Sequence, residues 1–145
     1  MASFVYTPAK TEILKGTIDF VNDDIRVLLV MTNTTADTDQ DFANIADITT
    51  LDEMDGANYV RKALASEAVN EDAANNRAEF DATDVTWTAL GAGTRAIAGM
   101  VVYKFVTTDT DHILISYIDT GGFPITANGG DLVAQWNAEG IVQAA

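Results

Sequence analysis

The sequence predicts an all-β or mainly β protein: an antiparallel sandwich or jelly-roll-like barrel of about eight short strands, with one or two short helices. Three observations lead there. Short apolar or alternating runs recur with turn residues between them, at intervals of roughly 8–12 residues. Strands and helices do not alternate along the chain, which disfavours a doubly wound α/β sheet. In FDATDVTWTALGAG, Phe80 to Gly93, one alternating set (Ala78, Phe80, Ala82) gives way to another (Val85, Trp87, Ala89) that is one residue out of phase. A one-residue change of phase exchanges the buried and exposed faces. A bulge, a corner or a crossing between sheets is therefore expected at Thr83-Asp84.

The elements follow in order. The spacing predicts a short helix over about 8–15, with Thr7 as N-cap, Pro8 in the first turn and Gly16 closing the end in a left-handed conformation. Lys15 suits the negative end of its dipole, and Ile13 and Leu14 are expected to face the core. Thr17 to Phe20 reads as a short extended piece. Val21-Asn22-Asp23-Asp24 reads as a turn, since Asn and Asp bond to nearby backbone and tolerate left-handed geometry. Ile25 to Met31 is apolar on both faces after Arg26, the mark of a central, covered strand. The stretch from Met31 to Gly56 is the least regular. Phe42, Ile45 and Ala46 stand at helical spacing within it, and Thr50 and Glu53 at capping-box spacing. Strands are expected at Tyr59–Ala65, Ser66–Asn70, Arg77–Ala82, Val85–Leu90, Ala96–Val106, Ile113–Ile118, Leu132–Trp136 and Ile141–Gln143. Glu71–Asn76 and Thr107–Asp111 read as turns, Gly91–Arg95 as a flexible turn, and Gly121–Gly130 as a loop with an Asn-Gly signal. Asn137–Gly140 reads as a four-residue hairpin loop.

A chain of 145 residues is most simply one domain, here 1–145, and buries about 70% of its unfolded surface without a staple. There is no cysteine, which excludes disulfides and thiolate zinc sites. The start, MASFVYTPAK, lacks the basic and long apolar regions of a signal peptide. The longest apolar run, Val27 to Met31, falls far short of the about 20 residues that span a bilayer. With 22 acidic and 8 basic residues the formal net charge is -14, so the surface repels nucleic acid and anionic lipid.

Residues that could carry chemistry are few. His112 is the one histidine, beside Asp111. Neighbours on a strand point to opposite faces, so Asp111 is poorly placed to orient it, and His112 reads as a residue at a turn edge. Asp37, Asp39 and Asp41 form the D-x-D-x-D opening of a calcium loop. Phe42 and Ile48 stand where an EF-hand needs Gly and Glu, so these three remain weak metal candidates. Glu67, Glu71, Glu79 and Asp81 read as a solvated face rather than the paired carboxylates of a glycosidase. Gly91–Gly93 and Gly121-Gly122 fit neither G-x-G-x-x-G nor a P-loop, and no G-x-S-x-G is present. No cofactor is expected. Trp87 and Trp136 read as core anchors rather than interface hot spots. Phe4, Tyr6, Phe42, Met54, Phe123 and Ile125 are the candidate exposed apolar contacts, and Met100 is a further one. They fall mainly in three candidate docking segments: 1–7, 33–56 and 121–130.

Four segments together resemble a family: KGTIDFVNDDIRVLLVMT (Lys15 to Thr32), RAEFDATDVTWTAL (Arg77 to Leu90), VVYKFVTTDTDHILISYIDTGG (Val101 to Gly122) and QWNAEGIVQ (Gln135 to Gln143). In this order they are similar to a group of small structural proteins of tailed bacteriophages. The resemblance implies a virion component without catalysis, first of all a capsid decoration (cement) protein. Such a protein is made in the host cytoplasm and binds the outer capsid surface. Its expected partners are the major capsid protein and itself, as a dimer or trimer, with no nucleic acid, membrane or small-molecule substrate. An all-β fold offers edge strands for such docking. The alternatives are a neck, tail or fibre-base component of the virion, a small carbohydrate- or calcium-binding module, and a small carbohydrate-active enzyme.

Overall fold

Five of the strands form a sheet whose middle is apolar on both faces, and the rest of the chain covers it. A computed structural model describes residues 3–145. Its strands are β1 (Phe4–Val5), β2 (Ile25–Met31), β3 (Lys62–Ala63), β4 (Ala68–Asp72), β5 (Arg77–Asp81), β6 (Val85–Trp87), β7 (Ile97–Lys104), β8 (Ile113–Ile118), β9 (Leu132–Ala134) and β10 (Val142–Ala144). One helix, α1 (Thr7–Lys15), and a 3₁₀ turn at Ile45–Asp47 complete the described elements. The protein is mainly β and its strand pairs are antiparallel, as expected. Of the ten strands, β1 alone, a two-residue edge piece, has no counterpart among the expected ones.

The large sheet has the order β1-β8-β7-β2-β3. Its three central strands are the three runs that are apolar on both faces, and each is buried along nearly its whole length. Leu29, Met100 and Ile118 share one face by register. On that side Leu29 and Met100 line one pocket with Leu132 and Ala134 of β9, and Met100 and Ile118 line another with Trp136. Leu28, Val101, Tyr117 and Phe4 share the other face. The Phe4 ring packs on Tyr117 at 5.8 Å and edge-on to Tyr6 at 4.9 Å. The Tyr6 hydroxyl donates to the Ala36 carbonyl at 2.6 Å, which ties the irregular 33–56 segment to this side.

The crossing expected at Thr83-Asp84 is present. β5 belongs to a three-stranded sheet, β10-β5-β4, and β6 to a two-stranded one, β6-β9. The return path crosses at the same place, because β9 pairs with β6 and β10 with β5. Together they make one bent antiparallel ribbon. Trp136 fills the bend: its backbone N–H donates to the Asp84 carboxylate at 3.0 Å, and its indole Nε1–H donates to the Thr83 carbonyl at 3.0 Å. The strands either side of Asn137–Gly140 therefore do not pair with each other, and the hairpin expected there is absent. The four residues form a turn in which Gly140 has φ 87 and Ile141 N–H bonds back to the Phe80 carbonyl at 2.7 Å.

Other expectations need correction. Tyr6, not Thr7, is the N-cap residue of α1, and no side chain caps it. The Thr7 N–H instead donates to the Gln40 carbonyl. Gly16 is left-handed, as expected. Leu14 does not face the core; it is 89% exposed, and Ala9 is the buried residue of the helix. Thr17–Phe20 is not a strand, although Ile18 is buried. Only Lys62–Ala63 of Tyr59–Ala65 is a strand, because Tyr59 and Arg61 are held by side-chain bonds instead. The 3₁₀ turn is capped by Asn44 and Asp47, and Thr50 caps no helix: its N–H and carbonyl bond Thr35. Gly91–Arg95 is not a loose turn. A Cβ on Gly93 would come within 3.0 Å of the Met31 and Met54 sulfurs, and one on Gly56 would overlap the Gly91 carbonyl oxygen.

The corner makes a testable demand. Trp136→Phe removes the bond to Thr83, and Asp84→Ala removes the acceptor for the Trp136 N–H. Each is expected to lower unfolding stability by about 1 kcal/mol in urea titration. Unchanged midpoints would mean that strand pairing alone sets the bend.

Candidate docking surface

Two places on the molecule gather notable side chains, one polar and one apolar. The polar one is built on Arg61. Its guanidinium grips Glu53 through Nε at 2.8 Å and Nη2 at 2.7 Å, and Asp109 through Nη1 at 2.6 Å. The Tyr59 hydroxyl donates to Glu53 at 2.7 Å and accepts the Leu29 backbone N–H at 3.1 Å. The cluster thus ties the 51–54 segment, the approach to β3 and the β7–β8 turn to the central sheet. Forked bonds of this kind are strong because both partners are charged. They raise the Arg61 pKa, chiefly through Glu53, and lower that of Asp109, chiefly through Arg61. Burial, with the nearby Glu53 charge, raises that of Tyr59.

His112 lies next to this cluster and is 3% exposed. Its Nδ1 accepts the Val106 backbone N–H at 3.0 Å, so the neutral ring carries its proton on Nε2, which is 3.8 Å from Asp109 Oδ1. The ring lies between Tyr103 at 5.1 Å and Phe105 at 4.7 Å. Burial pushes the imidazole pKa below its ordinary value, against a smaller opposite pull from Asp109. A second proton would have to point at the Val106 N–H. Asp111 accepts from Thr107 and Thr108 rather than from His112, so no Asp-His relay forms. The cluster closes a turn, with its one cation, Arg61, shared between two carboxylates.

The apolar place is a groove of about 540 Å³ between α1 and the three-stranded sheet. Register sets its floor: Val69, Phe80 and Val142 form one rung, and Glu71, Ala78 and Ala144 the next rung on the same face. Phe20 stacks on Phe80 at 4.3 Å, and Ile13 and Leu14 supply the helix wall. Leu14 is 89% and Val69 51% exposed. The opposite face of this sheet is polar, with Asn70, Glu79 and Gln143 on one rung and Glu79 paired to Arg77 at 2.8 Å. β4 is an edge strand, bonded to β5 alone.

The groove is not where the sequence places the contacts. Tyr6 is 0% and Met54 3% exposed, so both are core residues and cannot be exposed contacts, and Met100 is buried too. Phe4, Phe42 and Phe123 are half-buried and packed against the core. Ile125 is half-buried and exchanges both backbone bonds with Ile97. Met1 and Ala2, at the start of the 1–7 segment, lie outside the described residues. Asp37, Asp39 and Asp41 do not converge: Asp39 accepts the Asp41 N–H, and no group of three or more carboxylate or imidazole residues among the described residues is placed to share a metal. Glu71 and Glu79 sit on opposite faces of one sheet. Trp87 and Trp136 are buried. No described helix is long and apolar enough to cross a membrane. No family model, curated protein or solved structure matches the chain.

The histidine generates a prediction. A group whose folded pKa is depressed contributes stability above its unfolded pKa and loses it as pH falls. Unfolding stability is therefore expected to decline from about pH 6.5 downward, before most carboxylates protonate. His112→Asn, which keeps an acceptor for the Val106 N–H but does not titrate, is expected to show a flat profile between about pH 7 and 5 by thermal melting. Equal slopes in both proteins would acquit His112.

Proposed function

We propose that this chain is a non-enzymatic structural protein of a tailed-bacteriophage virion, a decoration protein that docks on the outer capsid and bridges neighbouring major capsid subunits. The observation that carries the reading is the groove beside α1. It joins an exposed leucine, an exposed valine and an unpaired strand edge in one continuous surface. Large apolar side chains left in water cost free energy, and burying each against a partner returns about 1.5–3 kcal/mol. Surfaces of this kind mark binding sites in soluble proteins. The order of segments that resembles small phage structural proteins supplies the kind of particle. The net charge of -14 supports a place outside the shell, since it opposes contact with packaged DNA.

In this reading the protein works by adding contacts across subunit boundaries. Each copy contributes a modest free energy, and many symmetric copies make the shell resistant to pressure from within. The docking face is built on the paired strands β10, β5 and β4 and on α1, so little backbone order is lost on binding.

The test is rebinding. Purified protein is mixed with particles stripped of it, and bound copies are counted after sedimentation. Hundreds per particle are expected, and Leu14→Ser, which changes an exposed side chain, is expected to weaken binding about tenfold. Failure of the wild-type protein to bind would end the decoration reading. About a dozen copies at one vertex or in the tail would move the protein to the neck or tail.

A further inference from the structure

The groove has a direction and a charge, and together they specify what fills it. The rung Val142–Phe80–Val69 runs across the sheet and stops at β4, where every second backbone N–H and C=O lacks a strand partner. A further strand lies about 4.8 Å away and continues the rung with its own side chains. An α-helix, about 10 Å across with its side chains, would leave that edge unpaired. The exposed Leu14 stands on the helix wall of the same groove, ready to cover an added apolar side chain.

The charge points to the rest of the sequence. Register puts Asp72, Glu79 and Asp81 on the face away from the groove, where Arg77 is the one cation of β4 and β5, and Glu71 on the groove-side rung next to Val69. Lys10 is the one cation among the residues lining the groove. A second copy of this chain would bring a net charge of -14 against -14, and an acidic edge strand resists pairing with itself. A basic segment would be drawn to the surface instead.

We infer that the groove accepts an extended segment of a basic partner protein, added as a strand to β4, with apolar residues at alternate positions turned toward Leu14 and Lys or Arg at the others. This rests on the groove being the docking face. It goes further in naming the partner's chemistry and its conformation.

The test uses peptides as probes on the full chain. Lys-Val-Lys-Val-Lys-Val-Lys is titrated by calorimetry beside three controls: the Glu-for-Lys and Ser-for-Val versions, and an amphipathic basic helix. The alternating basic peptide is expected to bind about tenfold more tightly than each control, and less tightly as salt rises. Leu14→Ser and Val69→Thr, both at exposed positions and checked for an unchanged circular dichroism spectrum, are each expected to lose about tenfold. Equal binding of the Ser version would reduce the effect to bulk charge and overturn the inference. Tighter binding of the helix would overturn it in favour of a helical occupant. Self-association in sedimentation, abolished by Leu14→Ser, would assign the groove to a second copy. If stripped capsids rebind the protein but the peptides are not distinguished, this inference falls and the decoration reading stands. Distinguished peptides with no capsid binding would do the reverse.

Discussion

A sheet that is apolar on both faces must be covered twice, and the architecture follows from that requirement. β2, β7 and β8 carry Val, Leu, Ile and Met on alternate and intervening positions alike, so neither face can be left to water. The bent ribbon covers the face of Leu29 and Met100, and the irregular 33–56 segment, tied to Tyr6 at Ala36, covers the face of Phe4 and Tyr117. The long segment without regular strands is thus a lid on the core, held by backbone bonds such as Thr35 N–H to the Thr50 carbonyl and Leu114 N–H to the Ala43 carbonyl.

The charge distribution is subordinate to this plan. Most of the 22 acidic residues lie on turns and edges, where water solvates them. The few that are drawn inward are used to fasten loops. Glu53 and Asp109 share Arg61, Asp52 holds Arg95 at 2.9 Å, and Asp23 holds Lys104 at 2.8 Å. With only 8 basic residues in the chain, these pairings leave little positive charge for binding an anion. That economy agrees with a surface whose main offering is apolar.

The legible part of the fold was the part governed by local pattern. Ile25–Met31 and Ile113–Ile118 match their expected bounds because apolar runs broken only by Arg26 and Ser116, and flanked by Asp, Asn and Thr, leave one reading. The crossing at Thr83-Asp84 was legible because a change of phase has a direct geometric meaning. The rest depended on distant partners. Tyr6 is buried because its hydroxyl finds the Ala36 carbonyl thirty residues away, and Met54 because Gly91–Gly93 leaves room for it. Leu14 looks like a core residue on a helical wheel, yet the sheet it would pack on stands back and leaves the groove open. Nothing local to TPAKTEILK records that distance, so the candidate docking surface had no signature in the sequence.

The distribution of aromatic residues has an optical consequence. Both tryptophans, Trp87 and Trp136, belong to the bent ribbon. The four tyrosines, at 6, 59, 103 and 117, lie in or against the five-stranded sheet. Indole emission therefore watches one layer while phenol absorbance watches the other. Detachment of the ribbon from an intact sheet would be visible as two transitions without any introduced label, and a single coincident transition would establish that the two layers melt as one cooperative unit.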